Sequence, residues 1–197
     1  MEHIQAKLKA HVIELSSKPS FIHHRWFVQW HLEIVDRIAA ELLDLYPQAN
    51  GDMVRAMVWL HDYGKIIDFN GQYDQKYVDA GRRKMIELGF DAEFAQTVAD
   101  NIALADTKTG LDTAPIEVQI LASADGCSHL VGPFVRLYWW ENPQKPYEDI
   151  MTENIRKLTV DWQKKIVLPE AKKAFQTRHE LAIEQSGQIA DSFITKE

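Results

Sequence analysis

Apolar residues recur at steps of three and four along most of this chain, and three of the resulting stripes are each interrupted by charged or imidazole side chains. Phe27, Ile34, Val35, Ile38, Leu42 and Leu45 share one helical face, and His31 falls on it. Val54, Met57 and Val58 form a second stripe that reaches His61, followed at once by Asp62. Val118, Leu121 and Ala122 form a third, which ends on Asp125.

The same periodicity, with its punctuation, predicts an all-α fold. A first helix runs from Glu2 to Ser16 and breaks over Ser17 to Pro19. A second runs from Ile22 or Arg25 to Tyr46 and stops at Pro47. Asn50-Gly51-Asp52 makes a turn that caps the third. Helices are predicted from Gln75 to Leu88, ended by Gly89, and from the Asp91 cap to Ala105. Pro115 opens the helix carrying Asp125. Glu141 to Pro146 reads as a loop, and two more helices fill Glu148 to Val167 and Pro169 to Ser192. No alternating segment of strand length interrupts this pattern.

A single His on an apolar face is ordinarily a hydrogen-bonded core group, and a single Asp near a helix end is ordinarily a cap. Here three helices bring such residues inward together. Burying an unpaired carboxylate costs several kcal/mol, and one divalent cation offsets the burial of His31, His61, Asp62 and Asp125 at once. Two imidazoles and two carboxylates neutralise such an ion and leave positions open for water and substrate.

These residues resemble the HD-domain superfamily of metal-dependent phosphohydrolases, whose pattern is a His, a His-Asp pair and a distant Asp. The matching positions are His31, then His61-Asp62 within Trp59-Leu60-His61-Asp62-Tyr63-Gly64-Lys65, then Asp125 within Ala122-Ser123-Ala124-Asp125-Gly126. The resemblance covers roughly residues 22 to 137 and implies a compact helical bundle with phosphohydrolase activity. Asp62 would both ligate the metal and orient or deprotonate a water. Lys65, placed beyond the helix terminus marked by Gly64, is the candidate phosphate-binding and catalytic cation; Arg25 and Arg136 are further substrate-binding candidates. His129, four residues after Asp125, is placed behind the ligands as an orienting group. Between Asp62 and His129 there is no histidine. That favours one divalent ion (Mn, Mg, Fe, Ni, Co or Zn) over two, with Asp74, Asp100 and Asp106 as the residues that could support a second. Two other classes remain open: a non-catalytic metal- and nucleotide-binding regulatory module, and an iron oxygenase of the HD type.

Composition adds the setting. A chain of 197 residues, 46% hydrophobic and 26% charged, suffices for one globular domain. We expect residues 1–197 to form it, with a motif core over 22–137 and a helical extension over 148–192. The amino-terminal segment carries charge through its apolar positions, so neither a signal peptide nor a membrane span is expected, and the setting is cytoplasmic. Cys127 stands alone and reads as a small buried hydrophobe. A net charge of −7 argues against general nucleic-acid or membrane binding and leaves a small phosphorylated substrate, a nucleotide or another metabolite, as the expected partner. An oligomer is compatible with all of this.

Overall fold

The computed structural model describes residues 1–70, 75–188, 191, 192 and 194, side chains at 75, 76 and 78 excepted. It is all-α, with no strand among the described residues. Helix α1 spans Glu2–Ser16, and a π-helical turn, Val28–Leu32, runs directly into α2, Glu33–Leu45. Then follow α3 (Gly51–Leu60), α4 (Tyr63–Ile67), α5 (Gln75–Leu88) and α6 (Ala92–Thr107). A short 3-10 turn over Leu111–Thr113 precedes α7 (Ile116–Ser128) and α8 (Phe134–Glu141). Helix α9 (Tyr147–Val160) continues into a second π turn, Asp161–Lys165, and α10 spans Pro169–Gln185.

Helix α7 is the axis of the bundle. It packs most extensively on α2, with α3, α6 and the second π turn around it, and every residue from Ile120 to Ser128 is buried. A helix apolar on all sides belongs in a core, and the small residues Ala122, Ser123, Ala124, Gly126 and Ser128 let its neighbours approach closely. Gly126 shows how closely: a Cβ there would stand 2.8 Å from Ile166 Cγ1 and 3.2 Å from Lys165 Cβ.

Several boundaries match their local chemistry. The Asn50 side chain caps α3 by accepting from the Met53 N–H at 3.1 Å, and Asp91 caps α6 through the N–H groups of Glu93 and Phe94. Elsewhere the structure corrects the pattern. Residues 22–26 form turns, so the second helical run begins later than its sequence suggests. Leu45, counted in the apolar stripe, is exposed at the end of α2, while Leu32 and Ala39 are buried. The π turn accounts for Leu32, since the Glu33 N–H bonds the Val28 carbonyl five residues back and the extra residue per turn puts both His31 and Leu32 on the inner face, whereas Leu45 is the last residue of α2. Gly64 does not end the helical region; it lies inside α4, and Lys65 with it. Helix α10 stops at Gln185, short of Ser192, because Gly187 takes φ 101 and the Gln188 N–H closes on the Ile183 carbonyl at 3.3 Å.

Candidate metal centre

Four elements bring the ligand candidates together. The first π turn delivers His31, the end of α3 delivers His61, the break before α4 delivers Asp62, and the core of α7 delivers Asp125. His31 Nε2 lies 3.2 Å from His61 Nε2 and 3.2 Å from Asp62 Oδ2. Asp125 Oδ1 stands 3.7 Å from His31 Nε2 and 4.0 Å from His61 Nε2, and His61 Nε2 is 3.5 Å from Asp62 Oδ2. Donor atoms about 2.1 Å from one cation in an octahedron are separated by roughly 3.0 to 4.2 Å, so all five distances suit a shared ion.

Protons decide between an ion and a hydrogen-bond network. His61 Nδ1 lies 2.8 Å from the Val58 carbonyl, which can only accept, so Nδ1 carries a hydrogen and, in the neutral ring that a metal ligand requires, Nε2 is a bare lone pair. His31 Nδ1 faces Ser128 Oγ at 3.1 Å, and that hydroxyl already donates to the Asp125 carbonyl at 2.7 Å. Nδ1 therefore donates to Ser128, and Nε2 of His31 is bare too. Burial lowers the His31 pKa to about 4, so the ring is neutral near pH 7. Four acceptor atoms thus converge with no hydrogen among them, an arrangement that repels itself unless a cation lies between.

The outward atoms of the carboxylates are also taken. Asp62 Oδ1 accepts from Lys65 Nζ at 2.7 Å, and Asp125 Oδ2 accepts from Lys165 Nζ. Burial pushes both carboxyls up, but the ammonium charges of Lys65 and Lys165 oppose it, and both carboxyls lie well below the usual carboxylate range. Burial pulls the Lys165 ammonium down, and Asp125 more than restores it. Each carboxylate therefore offers one oxygen to the centre while a lysine holds the other, which is how ligands are oriented in metal sites.

Of the remaining candidates, His129 is buried with its Nε2 3.5 Å from Asp125 Oδ1. Arg25 is exposed, its guanidinium 5.5 Å above the Trp140 ring, and Arg136 is exposed on α8; neither is among the groups that converge. Asp100 lies on the surface and accepts from Gln96 at 2.8 Å. Asp106 is exposed but crowded, and desolvation together with the charge of Asp62 raises its carboxyl above the usual range. Asp74 lies outside the described residues. Cys127 is buried, and burial raises its thiol.

The sequence pattern missed Lys157, Asp161 and Lys165, which come from α9 and the second π turn. Asp161 Oδ2 lies 2.8 Å from His129 Nδ1 and 2.7 Å from Lys157 Nζ. A signal was available. Ile150, Asn154, Leu158, Asp161 and Lys165 lie near one helical face and are buried, so polar residues break an apolar stripe here just as they do at His31.

No protein-family model matches the chain, and no solved structure matches it. Local similarity links it to proteins named 3′-5′ exoribonuclease YhaM. The protein of Listeria welshimeri is 32% identical over 87 residues, 43% of this chain and 28% of its own length. Those of Listeria innocua and a Geobacillus species are 39% and 34% identical over 62 residues, 30% of this chain and about a fifth of theirs. The chain thus spans well under a third of the length of these curated relatives. Their names overturn the expectation of a small phosphorylated metabolite and no nucleic-acid partner, since an exoribonuclease acts on RNA. Net charge does not decide this point, because it is a sum over the surface, whereas binding a strand end needs only a few local cations. Among the described residues no helix is long and apolar enough to cross a membrane. What the comparisons and the geometry share is a hydrolase-like chain with a buried His/Asp cluster suited to a divalent metal.

Proposed function

We propose that this chain is a metal-dependent phosphodiester hydrolase acting on RNA from its 3′ end, with His31, His61, Asp62 and Asp125 holding one divalent ion. The observation that carries the reading is the convergence of four hydrogen-free acceptor atoms whose partner atoms are all engaged elsewhere. The relatives' names support RNA as the substrate.

A divalent ion at this position supplies charge to stabilise the phosphoryl oxygens and acidifies a water for attack. The chain's own residues do the rest. Asp62 presents Oδ2 inward and orients the attacking water. Lys65 is partly exposed, and its ammonium has three donors, of which one serves Asp62; the others meet a non-bridging phosphate oxygen. Hydrolysis joins the water oxygen to phosphorus and returns a proton to the departing ribose oxygen. Residues 1–197 act as one domain in this reading, because the extension beyond residue 148 supplies Lys165 to the Asp125 of the motif core.

The test is a 5′-labelled single-stranded RNA incubated with chelated protein and then with divalent metals restored. Progressive shortening from the 3′ end that requires added metal is expected. His61→Ala and Asp62→Ala should lose both stoichiometric metal and shortening while keeping their helical content. Full metal occupancy in both variants contradicts the ligand assignment, and metal binding with no turnover on any RNA moves the chain to the regulatory reading.

A further inference from the structure

The convergence of lone pairs does not stop at four. His129, the residue following α7, stacks parallel to His31, with ring centroids 5.3 Å apart and planes 1° apart, while Phe134 approaches it at 4.3 Å. Its Nδ1 is 2.8 Å from Asp161 Oδ2, and that carboxylate is 1% exposed. Lys157 Nζ also lies 3.1 Å from Nδ1 but has both Asp161 oxygens to donate to, at 2.7 and 3.1 Å. The carboxylate contact is the shorter, and a carboxylate only accepts, so Nδ1 carries the hydrogen. In the neutral ring the Nε2 that faces Asp125 Oδ1 at 3.5 Å is then a third bare imidazole nitrogen around the same oxygen, beside those of His31 at 3.7 Å and His61 at 4.0 Å. Metal-ligating atoms of His31, Asp125 and His129 lie within 4.8 Å of one another, as do those of His31, His61 and Asp62.

Resting on the metal-centre reading above, we infer that His129 is a fifth protein ligand of the ion, held in its ligating tautomer by Asp161. The assignment moves His129 from behind the ligands into contact with the ion. An orienting group behind Asp125 would present a hydrogen to it, and the tautomer imposed by Asp161 leaves none to present. The two triads share His31, whose single free lone pair cannot serve two ions, and in this assignment they belong to one centre with three imidazoles and two carboxylates. Asp161–His129 is then a carboxylate–histidine–metal relay, and the second π turn exists at the right place to supply its carboxylate.

The experiment is X-ray absorption on the full chain loaded with one equivalent of Co²⁺, which counts imidazoles through their multiple-scattering signature. Three imidazoles are expected in the wild type and two in His129→Ala. Asp161→Asn should keep three and weaken Co²⁺ affinity by about 10- to 100-fold. Two imidazoles in the wild type overturn the assignment of His129 and leave the four-ligand centre standing. Failure of the wild type to bind Co²⁺ at all overturns the metal centre and this inference together. The wild-type count requires no variant to fold, and a merely structural role for His129 would not move it.

Discussion

The two carboxylates of the centre are built alike and anchored differently. Asp62 is held by Lys65, three residues away on the adjoining turn, with 28% of the lysine side chain exposed. Asp125 is held by Lys165, which arrives from forty residues later with only 10% exposed on either side of the pair. A local, half-open ion pair can release its lysine to an incoming phosphate at small cost, because water replaces the lost contact. A buried pair cannot, since either charge alone would be stranded in a poorly solvated core. In the function proposed above, the same pairing serves substrate contact at one carboxylate and construction of the site at the other.

Breaking the buried pair should have the largest effect. Lys165→Met leaves the Asp125 carboxylate without its cation and is expected to lower the stability of chelated protein by about 3 to 5 kcal/mol. Restoring a divalent metal should recover part of that loss, as the ion takes over the neutralising role. Denaturant titrations with chelator and with metal measure both; a loss under about 1 kcal/mol would show that the pair is dispensable.

At the open pair, Lys65→Ala should leave metal content intact and cost under about 1 kcal/mol of stability. It should instead lower kcat/KM by roughly 2 to 3 kcal/mol of transition-state stabilisation, some 30- to 150-fold. Unchanged kcat/KM on a cleaved RNA would return Lys65 to the role of a structural partner of Asp62.

Gly126→Ala sharpens the contrast without touching a charge. The added methyl meets Ile166 Cγ1 at 2.8 Å and displaces the π turn that carries Lys165, an overpacking expected to cost about 1 to 3 kcal/mol. Stability equal to wild type would mean that the turn shifts freely.

The most gradual effect, at its smallest for any single pH unit, is the dependence on pH. His31 is lowered to about 4 from 6.5, chiefly by burial, so between those values the unfolded chain binds more protons than the folded one. Stability of the chelated protein should therefore fall as pH drops through this window, at up to about 1.4 kcal/mol per pH unit from this residue. The depressed carboxyls Asp62 and Asp125 add their loss only below their ordinary range. His31→Gln should flatten the slope between pH 6.5 and 4, and an unaltered slope would refute the burial argument.

The sequence disclosed the centre where chemistry and periodicity coincide. His31, His61 and Asp125 are visible because each breaks an apolar stripe on its own helix, and burial confirms that those faces turn inward. The anchors are harder to see. Nothing in the local pattern pairs Lys165 with Asp125, since ion pairs between distant segments leave no periodic trace, although Asp161 and Lys165 do break an apolar stripe. The π turns were hidden for a related reason: one extra residue per turn alters which positions are buried without altering composition, as Leu32 shows. Helix α4 was lost to the reading of Gly64 as a terminus.

The most direct test of the central claim is anomalous scattering at the manganese edge from crystals grown with Mn²⁺. The account predicts one strong peak about 2.0 to 2.3 Å from His31 Nε2, His61 Nε2, Asp62 Oδ2 and Asp125 Oδ1. A cluster without a peak, or two full-occupancy peaks roughly 3.5 to 4 Å apart, would contradict it.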